Sequence, residues 1–156
     1  MKMNNRSKGF SLLELLVVMG IVGVLAAIAI PSYKQFTDKA DIADSSAILV
    51  SINLEIVQNK LNKFTGNVSK SDIKTIIKNT VNGNKNVSKK FDIDVTCSGS
   101  TGTSCTNYYL YAKPKKGVDL KKGLWLSSMD ATLYTCDSSV DLKSLKDASK
   151  NKMCTK

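Results

Sequence analysis

Hydrophobic positions change rhythm three times along this chain. From Leu15 to Ile30 no residue carries a charge and nearly all are Leu, Val, Ile or Ala. With Phe10 as its start, the run covers roughly 21 residues, ~30 Å of helix, which is the thickness of a bilayer's hydrocarbon core. Pro31 closes it, and a proline inside a helix removes a backbone hydrogen bond and kinks it. Beyond Pro31 a helical spacing takes over. Tyr33, Phe36, Ala40, Ala43, Ala47, Val50, Leu54, Val57, Leu61 and Phe64 recur in steps of three and four, which places them on one face. Ile42, Leu49 and Ile56 widen that stripe, and Asp38, Asp41, Asp44 and Gln58 fall opposite. A coiled coil is one reading of this spacing. The small residues at 40, 43 and 47 favour the other, a helix whose stripe lies on a sheet.

The remainder reads as a short helix followed by strands. Thr65-Gly66-Asn67 ends the long helix, and Ser71–Thr80 is expected to form a second one, capped near Ser71 or Asp72. Val81–Ser88 is polar and reads as a loop. Phe91, Ile93, Val95 and Cys97 alternate with polar residues as in a half-buried strand. Ser98–Ser104 reads as a turn, and Tyr108, Leu110 and Ala112 as a second strand ending at Lys113-Pro114. Lys115–Lys122 forms a basic loop before a third strand at Leu124-Trp125-Leu126, and Leu133–Cys136 supplies a fourth. The expected fold class is α+β: a long N-terminal helix, apolar in its first half and amphipathic in its second, packed on a 3-4-stranded antiparallel sheet.

One acid interrupts the apolar segment. Glu14 in a membrane costs at least ~2.5–3.5 kcal/mol, so it needs a partner. If the chain is cut between Gly9 and Phe10, the new α-amino group of Phe10 is a cation one helical turn away. The same amine can instead meet Glu14 of a neighbouring subunit, and such a pair would set the stagger between helices. Lys2, Arg6 and Lys8 before the run hold the N-terminus on the cytoplasmic side. An ordinary secretory signal would be cleaved after its apolar region, and Ala26-Ala27-Ile28-Ala29 imitates such a site. A plain uncleaved anchor explains the apolar run but not Gly9-Phe10 together with Glu14.

Gly9-Phe10-Ser11-Leu12-Leu13-Glu14 resembles the class III signal of type IV prepilins, with the cut after Gly9, and Pro31 stands where type IVa pilins also have a proline. The resemblance implies the type IV pilin fold and three segments: a cleaved leader over 1–9, a membrane and filament-core helix over 10–31, and a globular domain over 32–156. It implies N-methylation of Phe10 by a prepilin peptidase, an inner-membrane stage, partnership with the pilus assembly machinery, and polymerisation with other pilin subunits, identical or different, into an extracellular fibre. Motility, adhesion and DNA uptake are the roles such fibres support. In pilins the helix between Gly20, Gly23 and Pro31 can melt within the filament; close packing through small residues is the other use of these glycines.

The cysteines and charges refine this picture. The chain has Cys 4 and His 0, and four cysteines allow three pairings. Cys97–Cys105 and Cys136–Cys154 are favoured, the first clasping a hairpin turn. The second bounds a C-terminal loop that resembles the D-region of type IV pilins. Without Cys-x-x-Cys pairs a zinc site is not expected, and without histidine neither a Cys-His nor a Ser-His-Asp nucleophile can be built. No metal, cofactor or catalytic residue is therefore expected. The net charge of +10 rests on Lys, since the one Arg is Arg6 in the leader. Lys113, Lys115, Lys116, Lys121 and Lys122 are candidates for contact with DNA or anionic surfaces, as is a Lys-rich tail, with Tyr108, Tyr109, Tyr111 and Trp125 near enough in sequence to stack on bases. A mature chain without Arg is poorly equipped for base-specific reading. The extra disulfide and the lysines favour a minor pilin; a DNA-binding competence pilin and a type II secretion pseudopilin are the alternatives.

Overall fold

The first helix, α1, runs over Leu12–Asn62 through Gly20, Gly23 and Pro31, with Glu14 in its first turn and Lys60 in its last. The computed structural model describes residues 10–63, 67–98 and 104–156. The chain divides into two compact units, residues 1–37 and 38–156. Within the first, every described side chain from Phe10 to Phe36 is exposed.

The second unit contains the rest of α1 and all the other elements. β1 (Val68–Ser69) leads into α2 (Lys70–Gly83), which is followed by α3 (Lys85–Lys90). The strands are β2 (Phe91–Ser98), β3 (Ser104–Cys105), β4 (Asn107–Pro114), β5 (Lys122–Ser127), β6 (Leu133–Asp137) and β7 (Cys154–Thr155), with a 3-10 turn over Ala148–Lys150. An antiparallel five-stranded sheet has the order β2-β4-β5-β6-β7, and β1 and β3 make a separate two-stranded ladder. The four expected strands are present, and the two residues of β7 add to the edge beside β6.

Each face of the sheet has its own cover. Alternation in β2, β4 and β5 sends Phe91, Ile93, Val95, Tyr108, Leu110, Ala112, Leu124 and Leu126 to one side, where they pack with Leu49, Ile52 and Ile56 of α1 and Ile73, Ile76 and Ile77 of α2. Tyr109, Tyr111, Trp125 and Tyr134 point to the other side and are covered by Leu142 and Ala148 of the C-terminal segment. Tyr109 stacks on Trp125 at 4.9 Å between ring centroids, and Tyr134 meets the indole edge-on at 6.0 Å. Gly123 permits this closure: a Cβ there would stand 2.7 Å from Leu142 Cδ1 and 2.9 Å from the Ala112 carbonyl.

Three expectations need correction. The stripe through Ala40, Ala43, Ala47, Val50, Leu54, Val57 and Leu61 does not lie on the sheet; all seven are exposed, while Ser45, Leu49, Ile52, Asn53 and Ile56 are buried. Ile42, which is partly buried, with Leu49 and Ile56, marks the sheet-facing side instead. The reason is volume: branched Ile and Leu side chains fill the space above the strands, and the alanines of the other stripe would leave it empty. The second correction concerns α2, whose N-cap is Ser69. Its hydroxyl accepts from the Asp72 amide at 3.1 Å, and Asp72 reaches back to the Ser69 amide at 3.4 Å, a reciprocal capping box. The third is Val81–Ser88, which is not a loop. It holds the end of α2 and the start of α3, because Asn84 caps the new helix by accepting from the Val87 amide at 3.2 Å. Phe64, Thr65, Gly66 and most of the Ser98–Ser104 turn lie outside the described residues.

Candidate assembly surface

The described residues of the first unit present an exposed apolar surface. Leu12, Leu13, Leu16, Met19, Val24, Ile28 and Ile30 are all more than half exposed, and among the described residues α1 is a helix long and apolar enough to cross a membrane by length and composition. Glu14 is exposed within it and accepts a hydrogen bond from the Ser11 amide at 3.4 Å. That contact caps the first turn, and the exposed carboxylate stays accessible to a cation. Phe10 is 76% exposed; Gly9 lies outside the described residues. Pro31 lies inside α1. Nothing stands within 4 Å of a Cβ added at Gly20 or Gly23.

In the second unit the exposed stripe of α1 continues the theme. Leu54 is 57% and Leu61 80% exposed, on the side of the helix opposite the buried Leu49, Ile52 and Ile56. Ala40, Ala47, Leu54 and Leu61 have seven-residue spacing, with Ala43, Val50 and Val57 between, which is the spacing of a coiled-coil seam. Sequence reasoning had placed this seam against the sheet.

The basic candidates fall at one end of the sheet. Lys113, one residue before the end of β4, lies opposite Asp92, and Lys122 opens β5 opposite Asp137. Lys115 and Lys116 occupy the β4–β5 connection, where Gly117 has φ +89, a left-handed conformation that suits glycine. α3 adds cations that sequence reasoning missed: the Lys115 amide donates to the Lys90 carbonyl at 2.9 Å, and Lys115 Nζ to the Ser88 carbonyl at 2.7 Å. The missed signal was Asn84, whose cap starts the helix that brings Lys89 and Lys90 there. Lys90 forms an ion pair with Asp41 of α1 at 2.5 Å. Asp137 is held below the usual carboxylate range, first by the Ser139 amide and hydroxyl and then by Lys122 and Lys121 nearby.

The aromatics do not join these lysines as a stacking platform. Tyr108, Tyr109, Tyr111 and Trp125 are all buried. The Tyr108 hydroxyl donates to Asn53 Oδ1 of α1 at 2.7 Å, and burial pushes its pKa up to about 12. Tyr111 is also pushed up to about 12, by burial and by Asp94 beside it.

Two disulfides fasten the second unit. Cys97–Cys105 joins β2 to β3, and Cys136–Cys154 joins β6 to β7 across a sequence separation of 18. The second closes the C-terminal segment over the aromatic face. Among the described residues no cysteine is free.

Comparison with known proteins places the N-terminal segment. Residues 4–30 match the family model described as the prokaryotic N-terminal methylation motif. A fimbrial protein of Neisseria meningitidis serogroup B is 33% identical over 75 residues, covering 47% of this chain and 44% of that one. The type IV major pilin protein PilE1 of Neisseria gonorrhoeae is 49% identical over 49 residues, 31% of this chain and 28% of that one. The type IV major fimbrial protein FimA of Dichelobacter nodosus is 35% identical over 57 residues, 36% of this chain and 35% of that one. The matched stretches span less than half the length of these relatives. Among solved structures, the minor type IV pilin PilX of Neisseria meningitidis aligns with a TM-score of 0.49 and 22% identity, over 65% of this chain and 84% of that one.

Proposed function

We propose that this chain, whose N-terminal segment is that of the type IV pilins, is a structural subunit of a type IV pilus, cut after Gly9 and methylated on Phe10. The leader is 1–9, the membrane helix 10–31 and the exported domain 32–156. The apolar helix holds the subunit in the inner membrane until the assembly machinery extracts it into a fibre of pilin subunits, where Glu14 meets the Phe10 amine of a neighbour. The observation that carries this reading is the exposure of apolar side chains of α1 among the described residues: the run up to Ile30 in the first unit and the seam in the second. Surfaces of this kind are stable only when covered, first by lipid and then by other helices. Motility, adhesion or DNA uptake are the roles of the fibre, and the two disulfides and lysine-rich rim favour a minor subunit.

Mass spectrometry of sheared surface fibres tests this directly. The expected result is a chain that begins with methylated Phe10, in trace amount relative to the principal subunit. An abundant chain with the same end would make it the major pilin. A chain confined to membranes and still beginning before Gly9 would overturn the reading.

A further inference from the structure

The lysine-rich end of the sheet is also the end at which α1 enters the second unit. Lys90 pairs with Asp41 at one end of the α1–sheet contact, whereas Asn53 and Lys60 meet Tyr108 and the Thr106 carbonyl at the other. Lys89, Lys115, Lys116, Lys121 and Lys122 are all exposed around the first of these ends. The acids there, Asp41, Asp92, Asp119 and Asp137, are fewer than the cations, and Asp41 is already paired with Lys90. Asp41 follows Pro31 by about ten residues of chain, a tether of at most ~35 Å even if fully extended.

The geometry points to this rim as a docking surface for the anionic phosphate-bearing headgroups of the bilayer that holds the apolar helix, before the subunit is assembled; the inference rests on the membrane reading of Phe10–Ile30. A tethered lysine cluster meets a lipid surface at high effective concentration, and point-charge ammonium groups suit headgroups that present no fixed geometry. Single-stranded nucleic acid fits less well. The aromatics that would stack on bases, Tyr108, Tyr109, Tyr111 and Trp125, are buried in the two faces of the sheet and do not stand exposed beside the rim lysines. The headgroup contact orients the globular unit on the membrane and is given up when the helix leaves the lipid.

Lysine acylation of the full chain in vesicles reads this out. Vesicles of phosphatidylcholine alone and vesicles containing phosphatidylglycerol are floated, treated with an uncharged acylating reagent, and the modified lysines quantified by mass spectrometry. Lys63 and Lys70, exposed near the opposite end of the sheet, serve as internal references. Lys115, Lys116, Lys121 and Lys122 are expected to react about fivefold more slowly in the anionic vesicles, and the difference should vanish near ~1 M salt, where the screening length is ~3 Å. Equal rim rates in both lipids, with the chain floating in each, overturn the docking proposal while leaving the anchor intact. Rim protection that appears only on adding DNA overturns it in favour of nucleic acid. A chain that fails to float overturns the anchor reading and this proposal together.

Discussion

In the proposed fibre, Glu14 is the residue on which assembly turns. Its carboxylate sits among exposed apolar side chains and accepts a long hydrogen bond from the Ser11 amide. Glu14→Ala removes a charge from an apolar helix, so membrane insertion should be unimpaired or improved. Fibre yield should nevertheless fall, since the partner amine would be left uncompensated at each subunit contact. Normal yield by shearing and immunoblot would sink the pairing. Tyr108 plays a comparable part in the second unit. Tyr108→Phe strands the buried Asn53 acceptor, and ~1–2 kcal/mol of stability should be lost at neutral pH. The wild-type phenol has a folded pKa of about 12, above the unfolded value of ~10. Its contribution is therefore complete below pH ~10 and is lost as pH rises towards 12. The substitution should flatten that alkaline fall, as followed by denaturant melts across this range, with Tyr111 supplying the remainder.

At the scale of elements, α1 shows what a periodic sequence can and cannot specify. Two apolar stripes run along it with the same steps of three and four, one through Ala40, Ala47, Leu54 and Leu61, the other through Ile42, Leu49 and Ile56. They are offset by two residues, or ~200° around the helix. Period alone cannot say which of them faces the sheet. Helix, strands and alternation in β2 and β4 were all legible, because each uses one periodicity without a rival. The phase of α1 was not, since it depends on which side chains fill the space above strands distant in sequence. α3 was missed for a different reason. A six-residue helix of KNVSKK has little amphipathic signal, and its cap, Asn84, also suits a turn. The two stripes make opposite predictions. Leu54→Lys should keep the melting temperature near wild type and abolish fibres. Leu49→Ala should cost 2–5 kcal/mol. A large loss of stability from Leu54→Lys, or intact fibres, would refute the assignment of the outer stripe to assembly.

At the scale of the whole molecule, each part has surfaces suited to a different covering. The first unit exposes its described apolar side chains, which the proposed function gives to lipid and then to other subunits; the second covers both faces of its sheet, the outer one with a segment that carries little secondary structure of its own. That segment holds only a 3-10 turn and the two residues of β7, so its order depends on Leu142, Ala148 and the Cys136–Cys154 bridge. The cysteine pairing was open to sequence reasoning, as was the bounded loop. What the loop covers was not: Tyr109, Trp125 and Tyr134 alternate with core residues in their strands and look solvent-facing until the C-terminal segment is laid over them. Replacing Cys136 and Cys154 by Ser should therefore do two things. The unfolding free energy should fall by ~3 kcal/mol, the loop-closure contribution for this separation. Trp125, 2% exposed in the intact protein, should become accessible to acrylamide under native conditions, while the helix-side core stays folded by circular dichroism. The matching change at Cys97 and Cys105 should leave the indole protected, since that bridge joins β2 to β3, away from the covering segment. If both pairs of substitutions expose Trp125 equally, the aromatic face is held by the stability of the whole unit and not by the strap. If neither does, Leu142 and Ala148 hold the segment down by packing alone.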